Sequence, residues 1–124
     1  MTNPFKDSTK FMIACDQTVS GINEEQFKMY CDLITEEYDE LRVALANKNQ
    51  LETLDALVDI LVVTIGAIHS MGSDAEGAWR EVMANNLSKI DRATGYVKRR
   101  ADGKVLKPDT WKPPELQKFL KREH

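Results

Sequence analysis

The stretch LDALVDILVVTIGAI, at residues 54–68, decides the fold of this chain. Apolar residues fall on nearly every face of a helix drawn through residues 60–68, which places that helix at the centre of the protein. Thr64 interrupts the apolar run, and the run is too short to cross a bilayer. We therefore predict a central packed helix and no membrane partner.

Helix start and stop signals place three more helices around the central one. A first helix is predicted over about residues 8–18. A second begins after Asn23, which is a good N-cap, and the central helix begins in the same way after Asn49. Gly72 ends the central helix, and a capping box at residues 73–76 opens the fourth.

The predicted fold class is all-α, an antiparallel bundle of four main helices, because short loops make consecutive helices antiparallel neighbours. The chain has 124 residues, which is enough for one domain. We expect a helical metal-binding bundle at residues 1–90 and a basic C-terminal extension of the same domain, with phosphate contacts, at residues 91–124. A bundle of this size would struggle to cover an all-apolar helix, so we also expect a homodimer or a homotetramer.

Beyond Asp91 the helical pattern gives way to an irregular tail. Glycine and proline residues interrupt it, and residues 96–107 could form a small hairpin about Asp102-Gly103. A short final helix is predicted near residues 115–121.

Charge is divided unevenly along the chain. Residues 1–90 carry 7 Lys/Arg and 15 Asp/Glu, whereas residues 91–124 carry 10 Lys/Arg and 5 Asp/Glu. The two parts could bind a metal and a phosphate respectively, or the tail could simply be a solvated segment. Nucleic acid is not an expected partner, because the body is acidic and only Tyr96 and Trp111 are available in the tail for stacking.

The two cysteines, Cys15 and Cys31, stand alone without Cys-x-x-Cys spacing. This spacing disfavours thiolate metal sites and redox chemistry. The expected location is the reducing cytoplasm.

Two acidic clusters lie one helix apart, at residues 36–40 and 55–59. Glu37 falls inside the apolar stripe of the second helix, and Asp59 lies between apolar neighbours on the central helix. A charge in such a position is costly unless something pairs with it. Since the two helices are predicted to be antiparallel neighbours, the clusters can face each other.

Facing carboxylates repel one another and raise each other's pKa unless a cation lies between them. Hard oxygen ligands suit Mg²⁺, with Mn²⁺ as a substitute. The alternative is that Glu36, Asp39 and Glu40 form a solvated helix face. A di-iron site is excluded, because it needs Glu-x-x-His motifs and no histidine here follows a glutamate by three residues.

The motif Glu36-Glu37-x-x-Glu40, followed by an acidic motif on the next helix, resembles the all-α nucleoside triphosphate pyrophosphohydrolases. That superfamily includes MazG-type, dimeric dUTPase-type and phosphoribosyl-ATP pyrophosphohydrolase enzymes. Residues 59–67 and 81–89 look like the MazG-like branch, and residues 99–108 are similar to members of that branch acting on dUTP. The resemblance covers about residues 30–115.

This resemblance implies Mg²⁺-dependent cleavage of a nucleoside triphosphate, with dUTP as one candidate, to the monophosphate and pyrophosphate. It makes Glu37, Glu40 and Asp59 metal ligands. It also makes Glu36 a further ligand or the residue that orients the attacking water, so Glu36 and Glu37 are the candidate catalytic residues. The implied substrate-binding residues are Asn86, Lys89, Lys104 and Lys107.

One departure from the family pattern affects the metal site. The second motif usually reads Glu-x-x-Asp, and Ala56 stands at its Glu position. Asp55, one turn before Asp59, is the natural substitute ligand. The number of metal ions is therefore left open.

The chemistry of the residues agrees with this reading. A triphosphate adds negative charge to an acidic pocket, which cations and lysines can balance. No His, Ser or Cys arrangement for a covalent intermediate is present, so direct attack by metal-activated water is expected.

Several of these features also have a second interpretation. Asn86 and Lys89 could merely end a helix, and Trp111 could cover a base or anchor the tail. The competing function is a non-catalytic helical module that binds nucleotide or protein, with its metal site degraded at Ala56.

Overall fold

The structure, a computed structural model, describes residues 3–120. Four α-helices follow one another along the chain: α1 (Pro4–Ala14), α2 (Glu24–Ala46), α3 (Gln50–Ser70) and α4 (Ala75–Leu87). A single 3₁₀ turn (Gln117–Phe119) lies near the end, and no β-strand occurs in the described residues. The predicted all-α class with four main helices is confirmed.

These residues cluster into two compact units. The first comprises residues 3–75 together with Leu120, and it contains α1, α2 and α3. The second comprises residues 76–119, which include α4 after its first residue and the irregular tail. The division into a metal-binding part and a phosphate-contacting part concerns binding, and it stays a prediction.

Asparagine residues are the N-caps of all three helices of the first unit. Asn3, Asn23 and Asn49 each accept a hydrogen bond from the backbone N–H three residues later, at 2.8, 3.0 and 3.0 Å. Each bond satisfies an N–H group that has no partner within its helix. The starts predicted for α2 and α3 are confirmed.

Other predicted boundaries are wrong. The first helix was expected over about residues 8–18, but Asn3 caps it earlier and Asp16, at φ +59°, lies beyond its end. Ser73 was expected to belong to a capping box, but its buried hydroxyl has no hydrogen-bond partner and α4 begins at Ala75. The final helix shrinks to one 3₁₀ turn, and Lys121 lies outside the described residues.

The core of the first unit forms where α1, α2 and α3 meet. Met12, Tyr30, Val63 and Ala67 are its buried centre. A polar link accompanies the apolar one, because the Gln26 side-chain amide donates to Thr18 O at 2.7 Å and Ser70 Oγ at 2.9 Å. The end of α3 is thereby bound to the start of α2.

The prediction that residues 60–68 form a packed helix is only partly correct. Val63, Ile65, Gly66 and Ala67 are buried, and so is Ala56 earlier in α3. Leu61 and Val62 belong to the predicted run but are exposed, as are the apolar side chains that precede them: Leu51, Leu54, Leu57 and Val58. Among the described residues, no helix has the combined length and apolar character that a membrane span requires.

The tail of the second unit forms the predicted hairpin. Antiparallel bridges join Arg99 to Val105 and Ile90 to Val97, and Gly103 makes the turn at φ +90°. Beyond the hairpin, Trp111 Nε1 donates to Asn85 Oδ1 of α4 at 3.0 Å. Trp111 therefore anchors the tail, which was one of its two predicted roles.

We predict that Gly66→Ala destabilises the protein by about 1–3 kcal/mol, which is typical of an overpacked core. A Cβ at Gly66 would lie 2.3 Å from Cε1 of Tyr30. That ring is buried and its hydroxyl donates to Gln17, so it has little freedom to move away. Urea denaturation would measure the loss. The double variant Gly66→Ala/Tyr30→Val should lose less than the two single variants combined, and simple additivity would contradict the clash.

Candidate active site

The contact between Tyr30 and Gly66 sets the register in which α2 packs against α3. The three residues after Ala46 reverse the chain, with Lys48 at φ +53°, so the two helices run antiparallel. Seven residues after Tyr30 is Glu37, and seven residues before Gly66 is Asp59. Seven residues make about two helical turns, so both acidic residues stay on the faces that carry the Tyr30–Gly66 contact.

Glu37 is the centre of the acidic cluster. Its side chain is half-buried, and Oε2 is completely buried with no hydrogen-bond partner. The pKa of Glu37 is raised to about 7, first by burial and then by the hydrogen bond with Glu40 and the charges of Glu40, Asp59 and Asp55. The structure thus brings together four of the five carboxylates that were predicted as metal ligands.

Asp59 shares this environment. Burial raises the pKa of its carboxyl, followed by the charges of Asp55 and Glu40. Both of those neighbours are exposed, whereas Asp59 is half-buried. The site therefore has two carboxylates held in the helix interface and two at its edge.

Ala56 is buried, whereas Glu36 is exposed. Ala56 is only 3% exposed, so the position that holds a glutamate in the family pattern is filled here by a small buried side chain. Asp55, the predicted substitute, is exposed on α3, and its role as a ligand stays a prediction. Glu36 is exposed on α2, and its role as a ligand or water-orienting residue stays a prediction.

The carboxylates do not form a coordination shell in this structure. Within residues 3–120, no three His, Cys, Asp or Glu side chains stand in positions that could hold a metal ion. The raised pKa of Glu37 instead favours its protonated form, which carries no charge. A proton and a divalent cation are alternative ways to relieve the same repulsion, and the oxygen-only donors with the unpartnered Oε2 fit a hard cation.

The predicted substrate-binding residues all lie in the second unit. Lys89 and Lys107 line one cleft of about 650 Å³, and Asn86 accepts a hydrogen bond from Lys89 Nζ at 3.2 Å. Lys104 does not line this cleft; its backbone N–H donates to Asp102 Oδ1 at 3.0 Å in the hairpin turn. The nucleotide contacts of all four residues stay predictions.

Two further basic residues of the cleft, Arg92 and Lys98, were missed from the sequence. The hairpin register brings Lys98 into place, since Leu106 N–H donates to Lys98 O at 2.7 Å and Leu106 precedes Lys107. The pairing of Ile90 with Val97 does the same for the segment that contains Arg92. A register argument about the turn near Asp102 could have found Lys98, whereas Arg92 depends on a separate turn between Asp91 and Tyr96.

A comparison with protein-family models identifies the family of this chain. The family model described as phosphoribosyl-ATP pyrophosphohydrolase matches residues 10–86, more than half of the chain. No curated protein gives a match. The chain is a pyrophosphohydrolase by class, a hydrolase acting on acid anhydrides. It belongs to the phosphoribosyl-ATP pyrophosphohydrolase family, within the MazG-like superfamily, and the resemblance found in the sequence is confirmed.

We predict that Glu37 makes the metal-free protein less stable as the pH rises. Its pKa is about 7 in the folded protein and 4.5 ordinarily, so its contribution to stability is complete below pH 4.5 and is lost as the pH rises through 7. The amide side chain of the Glu37→Gln variant cannot ionise. At pH 8 the variant should melt roughly 5 °C above the wild-type protein, allowing for partial solvent screening, and near pH 4.5 the two should melt together.

Thermal unfolding followed by circular dichroism in EDTA would measure both values. Asp39→Asn removes an exposed carboxylate from the same helix and is the matched control. A pH dependence that is the same for Glu37→Gln and Asp39→Asn would contradict the assignment.

Proposed function

We propose that this protein is a Mg²⁺-dependent nucleoside triphosphate pyrophosphohydrolase, with Mn²⁺ able to replace Mg²⁺. Its products would be the nucleoside monophosphate and pyrophosphate, and dUTP is the first substrate to test because residues 99–108 resemble members acting on it. The observation that carries the proposal is the buried, unpartnered Oε2 of Glu37 among three other carboxylates. Such an oxygen is costly unless a ligand pairs with it.

Glu37 and Asp59 would hold the cation from the helix interface, and the exposed Glu40 and Asp55 would turn inward to complete the set. A divalent cation in this position supplies charge that offsets the phosphates and makes water a better nucleophile at neutral pH. Glu36, at the exposed edge, would orient the attacking water. No residue of the cluster needs to form a covalent bond to the substrate.

The basic residues would act on the other part of the substrate. Lys89 and Lys107 of the cleft would bind the negatively charged phosphates and stabilise the departing pyrophosphate. Asn86 keeps Lys89 oriented through its 3.2 Å hydrogen bond. Lys104 would add a contact from the hairpin turn.

We expect a pyrophosphate-release assay with Mg²⁺ to detect turnover of at least one compound in a panel of dUTP, other nucleoside triphosphates and phosphoribosyl-ATP. EDTA should abolish it. Glu37→Gln should lower kcat by a factor of at least about 100, because it removes a charged oxygen ligand without changing the side-chain shape. Asp39→Asn, exposed on the same helix, should leave kcat unchanged.

Failure to release pyrophosphate from any member of the panel, with either metal, would overturn the enzymatic proposal. It would favour the non-catalytic module with a site degraded at Ala56. Full activity of Glu37→Gln would remove Glu37 from the site while leaving the reaction class standing.

We also propose that a second copy of the chain covers the exposed face of α3, giving a homodimer or homotetramer. Leu51, Leu54, Val58 and Leu61 are 77%, 60%, 49% and 58% exposed, and their spacing puts them in one stripe about 15 Å long. A two-fold axis lets such a stripe pack against its own copy.

Light scattering after size-exclusion chromatography would test the oligomer. Leu61→Glu should reduce the mass of the assembly, because it places a charge from each copy within the shared face. Tyr96→Glu replaces another exposed large side chain, outside α3, and is the control. A monomeric wild-type protein at micromolar concentration would contradict the proposal.

We also propose that the protein is cytoplasmic. Both cysteines are free, and Cys15 is exposed, which suits a reducing compartment.

A further inference from the structure

The cleft of the second unit has walls built by the hairpin and by the segment that follows α4. Asp91 N–H donates to Tyr96 O at 2.8 Å, and Leu106 N–H donates to Lys98 O at 2.7 Å. These bonds hold the two sides of the cleft in register. Its volume of about 650 Å³ is enough for a small anion with its water.

Positive charge dominates this cleft. Four of its lining residues are cationic, namely Lys89, Arg92, Lys98 and Lys107, whereas Asp91 is the one lining carboxylate. Asp91 Oδ2 lies 3.7 Å from Lys98 Nζ, and that lysine side chain is 75% exposed, so the pair offsets only part of the charge. Arg92, Lys89 and Lys107 are left with no carboxylate partner among the lining residues.

The cleft also positions its charges. Lys107 Nζ lies 4.1 Å from the centre of the Trp111 ring, which in turn is bonded to Asn85 of α4. An ammonium group over an aromatic face is attracted to it, so Lys107 is oriented by a fixed platform. Apolar side chains line the rest of the cleft: Leu87, Ile90, Leu106 and Pro108.

The donor set indicates which part of a nucleotide this cleft could recognise. Its lining includes no aromatic ring on which a base could stack and no Asn or Gln side chain to read a base edge. Lysine, arginine and the hydroxyls of Ser88 and Thr110 are donors suited to phosphate oxygens. Recognition here depends on charge and not on the base.

We propose that the cleft is a pyrophosphate-binding site that works without a metal ion, and that Arg92 and Lys98 bind the anion together with Lys89 and Lys107. The choice of pyrophosphate as the ligand rests on the proposed function. The site itself rests on the cleft geometry and its charge, both within the second unit. Pyrophosphate would then bind as a product, and it would inhibit turnover by competing for this cleft.

Isothermal titration calorimetry of the full chain with inorganic pyrophosphate, in EDTA, tests the proposal. The wild-type protein should bind pyrophosphate, bind orthophosphate more weakly and show no binding of deoxyuridine at the same concentration. Arg92→Gln/Lys98→Gln should weaken pyrophosphate binding at least about tenfold, since each lost charge-assisted hydrogen bond contributes substantially. Arg99→Gln/Lys112→Gln removes the same charge from exposed positions outside the cleft and should change binding less than twofold.

Absence of pyrophosphate binding by the wild-type protein, or equal loss in the two double variants, would overturn the site. Circular dichroism would establish that both variants fold, and Arg92→Gln alone serves if the double variant does not. The two proposals fail separately. Turnover of a triphosphate without metal-free pyrophosphate binding would overturn only the cleft, whereas metal-free binding without any turnover would overturn only the enzymatic function.

Discussion

The antiparallel packing of α2 against α3 is the constraint on which the rest of the acidic site depends. The ring of Tyr30 lies against the backbone at Gly66, where a side chain of even one carbon would clash. This contact favours the observed register between the helices, because it needs the glycine opposite the ring. Two turns further along the same interface, that register places Glu37 and Asp59 on the facing surfaces.

The acidic cluster costs stability in the metal-free protein. Burial and three neighbouring carboxylates hold the pKa of Glu37 near neutrality, so the group carries a proton under conditions where an exposed glutamate would not. Natural proteins tolerate such strain at sites where a ligand relieves it. Because this interface destabilises the charged carboxylates, it would bind a cation with high affinity.

The two units divide the chemistry of the proposed reaction by charge. The first unit has a carboxylate cluster in a helix interface, and the second has a basic cleft with a lysine stacked on Trp111. Oxygen ligands attract cations, whereas ammonium and guanidinium groups attract phosphate oxygens. Each unit by itself therefore has side chains that suit one kind of ion.

The sequence by itself determined the helix starts at Asn23 and Asn49, the all-α class and the acidic residues that converge. Local capping chemistry and apolar periodicity are encoded within a few residues, so they can be read without the fold. It misplaced α1, because the cap at Asn3 lies upstream of the apolar pattern. Only the tertiary structure decided that Oε2 of Glu37 is buried without a partner and that Arg92 and Lys98 share a cleft with Lys107. Burial and cross-hairpin neighbours depend on how distant segments pack, and no local pattern carries that information.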